Sequence, residues 1–259
     1  MAPVWAGRRS PSPFTQGLPK SGPRRQGVRY AGMRLAPQTP LLPAVEDLRA
    51  LLLDLDGTLA DSNGAHARAW VEALADEQIT REESEVRPLI GMGGDQLVPA
   101  LTGESDKSDL GKALVQGWQD HFGPLIPDIA MIGGARDLLE WAHDQGLKVV
   151  LASSGEDEIV DALLEQIGVS DLVPVRVRSD EVQQTKPEPD VLQAALAKAG
   201  VSAEQALFVG DTTYDARAAR AAGVACVVLR AGGSPGLSTE SHVLSDPAEL
   251  LAELKKATS

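Results

Sequence analysis

Short apolar segments alternate with segments of helical period over the second half of the chain, from about residue 130 onward. The segments LKVVLASS, ALFVGD and VACVVL are bounded by Gly or polar residues, which predicts buried strands. The intervening segments GARDLLEWAHDQG, EDEIVDALLEQIG, PDVLQAALAKAG and YDARAARAAG predict helices. Strands that alternate with helices form a mostly parallel sheet with helices on both faces. The predicted fold class is therefore α/β.

A helical stretch interrupts this pattern near its start. The first predicted strand is the apolar run RALLLDL at residues 49–55, and no strand pattern follows between residue 62 and about residue 129. The segment SNGAHARAWVEALADEQ has helical spacing, and Pro and Gly residues close the stretch at residues 124–134. We therefore predict a core domain of residues 46–62 and 130–259, with a small helical domain inserted at residues 63–129.

The charge of the chain is divided unevenly. Residues 1–45 carry seven Lys or Arg and no Asp or Glu, and they are rich in Pro, Gly and Ser, which predicts a disordered basic tail. The net charge of −13 for the whole chain therefore leaves −20 on residues 46–259. So acidic a body argues against nucleic acid as a partner. No apolar run approaches the length of a membrane span, so we expect a cytoplasmic protein with no membrane partner, of open oligomeric state.

Polar side chains follow the predicted strands at their carboxyl ends, where open α/β sheets bind ligands. These positions are Asp54, Asp56, Gly57 and Thr58 after the first strand, Ser153 and Ser154 after the second, Lys186 in TKPEP, and Asp211 and Asp215 after ALFVG. Each one alone is explained by a turn, a helix cap or a solvated surface. Together they would converge on one edge of the sheet, where gathered carboxylates require a cation. Ligands that are all oxygens suit Mg²⁺.

Two common motifs are excluded. An EF-hand loop needs a third Asp or Asn before its glycine and a closing Glu, whereas here Gly57 follows Asp56 directly and Ala65 occupies the closing position. The chain also contains no Walker A motif.

Four segments resemble the four motifs of the haloacid dehalogenase-like hydrolases, in the order of that family: DLDGTLADS, LASSG, TKPEPD and GDTTYD. The resemblance covers about residues 49–259. It implies a Rossmann-like core, and the inserted helices resemble the C1-type cap of the phosphoglycolate phosphatase and beta-phosphoglucomutase-like branch.

The resemblance also implies roles for the strand-end residues. Asp54 would be the nucleophile, and Asp56 would be the general acid and base. Mg²⁺ would be bound by Asp54, Asp56 and Asp211, with Asp215 steadying the site. The substrate phosphate would be held by Gly57, Thr58, Ser153, Ser154 and Lys186, and His66 is a candidate residue of the cap hinge.

The acid at position 56 indicates phosphate ester chemistry, because a halide leaving group needs no proton. The predicted function is an Mg²⁺-dependent phosphatase that acts on a small phosphorylated metabolite through an aspartyl-phosphate intermediate. One alternative is a sugar-phosphate mutase of the beta-phosphoglucomutase type, which His66, five residues after Asp61, favours. The absence of Lys and Arg between Arg87 and Lys107 disfavours it, because a mutase must hold a second phosphate. A non-catalytic module that binds a phosphorylated ligand is the other alternative.

Overall fold

The core of the protein is a six-stranded parallel sheet with helices on both faces. The structure, a computed structural model, describes residues 43–257, so the predicted tail lies almost entirely outside the described residues. The strands follow the order β3-β2-β1-β4-β5-β6, and β1 therefore lies at the centre. Their bounds are β1 Ala50–Leu53, β2 Lys148–Leu151, β3 Val175–Arg176, β4 Ala206–Gly210, β5 Ala225–Leu229 and β6 Val243–Leu244.

Five helices cover the two faces of this sheet. They are α5 Ala135–Asp144, α6 Asp157–Gln166, α7 Asp190–Ala199, α8 Thr213–Ala222 and α9 Pro247–Ala257. Leu51 and Leu53 of β1 share one apolar cluster with α5, α6 and α9. Ala50 and Leu52 point to the other face, where they join α7 and α8. The strand is thus buried on both sides, which explains why it reads as a continuous apolar run. The predicted α/β class is confirmed.

Four helices are inserted between β1 and α5. They are α1 Asn63–Asp76, α2 Glu83–Val86, α3 Gly94–Thr102 and α4 Asp109–Phe122. Trp70 of α1 stacks on Trp118 of α4, with ring centroids 5.6 Å apart. Both side chains belong to the same apolar cluster as Leu51 and Leu53, so the apolar core of the inserted helices is continuous with that of the sheet face covered by α5, α6 and α9. The division into a core domain and a cap domain remains a prediction.

The two edge strands are the least visible in the sequence. The predicted strand LVPVRV reduces to the two residues of β3, and β6, which is equally short, has no strand signal in the sequence.

Among the described residues, no helix has the length and apolar character needed to cross a bilayer.

Candidate active site

The carboxyl end of β1 places Asp54 at the centre of the sheet. Leu53 pairs with Val209 of β4, and the Asp54 backbone N–H donates to the Val209 carbonyl oxygen at 2.9 Å. The order of the strands changes direction between β1 and β4, and open α/β sheets bind ligands in the crevice at such a point. Asp54, after β1, and Asp211, after β4, therefore face the same crevice.

Lys186 is buried in this crevice. Its side chain is only 1 % exposed, and Nζ donates to Asp54 Oδ1 at 2.5 Å and to Asp215 Oδ1 at 2.9 Å. Burial alone would lower the pKa of Lys186, but the carboxylates of Asp215 and Asp54 outweigh burial and raise it above its ordinary value. The ammonium group therefore stays charged and links the two acids.

The start of α8 fixes Asp215. Its Oδ2 accepts hydrogen bonds from the Thr212 hydroxyl at 2.6 Å, the Thr212 N–H at 2.9 Å and the Asp211 N–H at 3.2 Å. The Thr212 Oγ1 in turn accepts from the Asp215 N–H at 3.1 Å, which completes a reciprocal helix cap. Asp215 therefore holds the turn that carries Asp211 and also orients Lys186.

Of the two carboxylate oxygens of Asp211, only Oδ2 has hydrogen-bond partners among the described residues. Its Oδ2 accepts from Asn63 Nδ2 and from the Ser234 hydroxyl, each at 2.7 Å. Its Oδ1 is buried and has no partner among the described residues, and the same holds for Asn63 Oδ1. A buried carboxylate oxygen without a donor is unfavourable, because the charge has lost its hydration. The site thus presents unused oxygen acceptors beside Asp54.

These acids fit a hard divalent cation. Asp54, Asp211 and Asp215 each place one oxygen within 4.8 Å of the others. Burial raises the pKa of Asp54 to about 7, with Lys186 opposing the change and Asp215 and Asp56 adding to it. Burial, together with the charges of Asp215 and Asp54, raises the pKa of Asp211 well above its ordinary value. Three buried carboxylates beside one lysine therefore leave excess negative charge, and oxygen donors of this kind suit Mg²⁺.

The side chain of Asp56 lies apart from these three acids, so a metal contact of Asp56 would be made through its backbone carbonyl, and that contact stays a prediction. Its Oδ1 accepts from the Ser62 hydroxyl at 2.5 Å and lies 2.8 Å from His66 Nε2. Burial alone would raise the pKa of Asp56, but His66 and Ser62 lower it below its ordinary value. Because Asp56 is then ionised, His66 Nε2 is the donor. The His66 ring stacks on Phe122 of α4, with centroids 3.9 Å apart.

The two predicted catalytic acids open onto one cavity. Its core side is formed by Asp54, Asp56, Ser153, Ser154 and Lys186. The Ser153 hydroxyl accepts from the Gly155 N–H at 3.0 Å, and the Ser154 hydroxyl accepts from the Lys186 N–H at 3.3 Å. The inserted helices form the opposite side, with apolar side chains from α1, α3 and α4. The structure thus brings three of the five predicted phosphate-binding residues to the cavity.

Gly57 and Thr58, the other two, do not line the cavity. The Gly57 N–H donates to the Ala60 carbonyl at 2.7 Å, and the Thr58 N–H donates to the Leu55 carbonyl at 3.2 Å, so the turn itself uses both groups. Thr58 is fully buried. Gly57 instead gives room to Asp211: its φ is +73°, and a Cβ atom there would lie 2.2 Å from Asp211 Oδ2.

Three side chains that support the acids were not predicted from the sequence: Ser62, Asn63 and Ser234. Ser62 is the last residue of the first motif and Asn63 directly follows it, at the start of α1. Ser234 follows β5, so the strand-end rule that identified Asp211 could have identified it as well. Each donates a hydrogen bond to a carboxylate of the site.

Comparisons with known proteins identify the family of this chain. Residues 51–229 match the sequence model of the family described as haloacid dehalogenase-like hydrolase. A phosphoglycolate phosphatase of Pseudomonas putida is 34% identical over 213 residues, which covers 78% of this chain and 78% of the relative. The crystal structure of a hydrolase from Pseudomonas syringae superposes with a TM-score of 0.75 at 30% identity and covers 80% of this chain and 98% of that one.

A third similar protein was solved with a sugar bisphosphate. A variant of CbbY from Rhodobacter sphaeroides, in complex with xylulose-(1,5)bisphosphate, has a TM-score of 0.69 at 26% identity and covers 80% of this chain and 99% of that one. The family match spans more than half of the chain and includes the whole sheet from β1 to β5 apart from Ala50 at the first position of β1. The chain therefore belongs to the haloacid dehalogenase-like hydrolases, as its four motifs predicted.

Proposed function

We propose that the protein is an Mg²⁺-dependent phosphatase that hydrolyses a small phosphorylated metabolite through an aspartyl-phosphate on Asp54. The observation that carries the proposal is the different environment of two acids on one cavity. Asp54 is held by Lys186, and Asp56 is held by Ser62 and His66. Two carboxyl groups in separate environments suit two separate roles, nucleophile and proton carrier.

Asp54 is the proposed nucleophile. Its carboxylate oxygen attacks the phosphorus atom, and the bond between phosphorus and the ester oxygen breaks. Asp54, Asp211 and Asp215 would hold Mg²⁺, which reduces the repulsion between the carboxylate and the phosphoryl oxygens when it is bound. Lys186 contributes a fixed positive charge 2.5 Å from Asp54 Oδ1, where it also attracts the phosphoryl group.

Asp56 is the proposed general acid and base. In its protonated form it gives a proton to the oxygen of the departing alcohol. It then removes a proton from the water that attacks the phosphorus of the aspartyl-phosphate, and this step releases inorganic phosphate and restores Asp54. His66 and Ser62 orient Asp56 and favour its ionised form, which is the form that the second step needs.

Residues 63–129 are the proposed cap. Three contacts join the core to the segment that leads into α3 and to the first turn of α3: Tyr214 donates to the Pro88 carbonyl at 2.9 Å, the Gly93 N–H donates to Thr185 Oγ1 at 3.2 Å, and the Thr185 hydroxyl donates to Asp95. A cap held in this way excludes bulk water from the phosphoryl group. The acidic body favours a small metabolite in the cytoplasm over nucleic acid or a membrane surface.

Phosphate release from p-nitrophenyl phosphate tests the proposal. We expect turnover that requires Mg²⁺, stops in excess EDTA and is lost in Asp54→Asn. Asp61→Asn is the matched control, because Asp61 is an exposed acid seven residues away that does not line the cavity. Acid-quenched wild-type enzyme should carry a phosphoryl group on Asp54 in peptide mass spectra. Full activity of Asp54→Asn would overturn the mechanism.

A mutase is the second candidate, and the contact between His66 and Asp56 favours it because the corresponding histidine of beta-phosphoglucomutases restrains the general acid. Among the described residues that line the cavity, however, none of the inserted helices contributes a Lys or Arg to hold a second phosphate. We therefore expect inorganic phosphate, and little glucose 6-phosphate, from beta-glucose 1-phosphate. A coupled glucose 6-phosphate dehydrogenase assay measures the ratio, and an excess of glucose 6-phosphate would favour the mutase.

A further inference from the structure

The cap side of the cavity is mainly apolar. Its apolar side chains are Trp70 of α1, Ile90 and Met92 from the segment between α2 and α3, Leu97 of α3, and Val115 and Trp118 of α4, and His66 of α1 also lies on this side. The departing alcohol of a substrate bound to Asp54 would lie against this wall, because the core side holds the phosphoryl group. Apolar walls stabilise uncharged groups and leave a charged group without its hydration.

The buried side-chain donor without a partner on this wall is uncharged. Trp118 Nε1 is buried and has no hydrogen-bond partner among the described residues. An indole N–H suits a hydroxyl or carbonyl oxygen. Lys107 and Lys112, the two lysines of residues 63–129, do not line the cavity; they line an adjoining open groove, which Glu156 also lines.

An acid stands at the edge of the same cavity. Glu156, which follows Ser153–Gly155 on the core side, lines the cavity and is half-buried. The side-chain amide of Gln119, on α4, donates to Glu156 Oε2, so the carboxylate is held between core and cap. Burial raises the pKa of Glu156, which reflects the poor hydration of a charge at this place.

The N-terminus of α3 does not offset this charge. Gly93 and Gly94 line the cavity, and helix N-termini attract anions. Asp95 already places a carboxylate in the first turn of α3, and the Gly93 N–H is used by Thr185. An additional anion in the cavity would therefore lie near Glu156 and would find the Gly93 N–H already used.

We propose that the cavity selects phosphate monoesters of small uncharged alcohols, and that Glu156 discriminates against alcohols that carry a carboxylate close to the ester. The inference rests on the proposed phosphatase function and concerns the substrate class of the same site. On this inference, the preferred substrate of this chain differs from the one for which the phosphoglycolate phosphatases are named, because the departing group of phosphoglycolate carries a carboxylate. Like charges within one cavity repel each other most where water is excluded.

The test compares 2-phosphoglycolate with its amide, 2-phosphoglycolamide, which has nearly the same shape and no charge on the departing group. We expect kcat/KM of wild-type enzyme, measured by phosphate release at pH 8 with Mg²⁺, to be at least tenfold higher for the amide. Glu156→Gln should narrow this ratio at least threefold by raising kcat/KM for 2-phosphoglycolate. Glu158→Gln removes the same charge from an exposed position that does not line the cavity, and it should leave the ratio unchanged.

Two results would overturn the inference: a wild-type kcat/KM for 2-phosphoglycolate equal to or above that for the amide, or an unchanged ratio in folded Glu156→Gln. The wild-type comparison decides alone if that variant does not fold. Hydrolysis of p-nitrophenyl phosphate separates this failure from that of the proposed function. An enzyme that hydrolyses the aryl ester but prefers 2-phosphoglycolate refutes only the substrate class, whereas no hydrolysis of any ester refutes the phosphatase function as well.

Discussion

Replacing Lys186 by Met should destabilise the protein strongly, and more so at high pH. The ammonium group is 1 % exposed and contacts two carboxylates, at 2.5 and 2.9 Å. Met keeps most of the length of the side chain and removes the charge, so Asp54 and Asp215 lose their buried partner. Breaking a buried ion pair by removing one partner costs about 3–5 kcal/mol. For a chain of this size, the melting temperature should fall by roughly 6–20 °C.

The pH dependence follows from the acids that remain. Without Lys186, a buried carboxyl avoids an unpaired charge by keeping its proton. The pKa of Asp54 is already about 7 with Lys186 present, and a further rise without Lys186 costs up to about 1.4 kcal/mol more at pH 8 and almost nothing more at pH 5. An acid whose pKa is higher in the folded than in the unfolded protein binds more protons when folded. The free energy of unfolding therefore falls as the pH rises from the pKa of the unfolded protein to the pKa of the folded protein. The loss in Lys186→Met should therefore be larger at pH 8 than at pH 5.

Thermal unfolding followed by circular dichroism, in EDTA at both pH values, measures the effect. Lys198→Met is the matched control, because Lys198 Nζ lies 2.8 Å from Glu181 Oε1 in an exposed pair. Water screens that pair, so we expect only a small change that is similar at both pH values. Lys186→Met combined with Asp215→Asn should recover part of the loss, because it removes one of the stranded charges. Equal losses for the two lysine variants, or a larger loss at pH 5, would refute the reasoning.

Three further results are expected. Asp56→Asn should lose about 10²–10⁴-fold in kcat on an alkyl phosphate and much less on p-nitrophenyl phosphate, whose departing group needs no proton; equal losses would contradict the role of Asp56. Mg²⁺ at 100 times its Kd should stabilise wild-type protein by about 2.7 kcal/mol, and Asp211→Asn should remove this gain in a thermal melt. Gly57→Ala should destabilise more than Gly103→Ala, although both glycines have positive φ, because a Cβ atom at Gly57 meets Asp211 at 2.2 Å and one at Gly103 meets nothing within 4 Å. Urea denaturation compares the two variants, and similar midpoints would show that Asp211 yields to the added methyl group.

The inner strands of the sheet are predictable from the sequence, and the two edge strands are not. The strands β1, β2, β4 and β5 lie inside the sheet, so both of their faces are covered and their residues are apolar in unbroken runs. The strand β3 is an edge strand of two residues, of which Val175 is exposed. Two residues, one of them exposed, are too few to show the alternation or the apolar run by which a strand is predicted from sequence. The same holds for β6, whose two residues are only partly buried.

The strand-end acids were predictable because topology alone brings them together. Parallel strands end at the same edge, so Asp54 and Asp211 meet although 156 residues separate them. Asn63 and Ser234 reach Asp211 differently, through the start of α1 and the loop after β5. In sequence Asn63 is an ordinary polar residue at a helix start, and nothing local marks it as a partner of Asp211, whereas Ser234 follows β5, where the strand-end rule applies.

Glu156 shows where prediction from sequence ends for the substrate. In sequence it is the residue before a helix, and an acid there is explained by the helix dipole. It becomes part of the cavity because Gln119 of α4 lies against it, and that contact depends on how the inserted helices pack on the core. The chemistry of phosphoryl transfer is set by strand ends, which the fold fixes. The choice of alcohol is set by packing between two separate parts of the chain, and so chains that share all four motifs can differ in substrate.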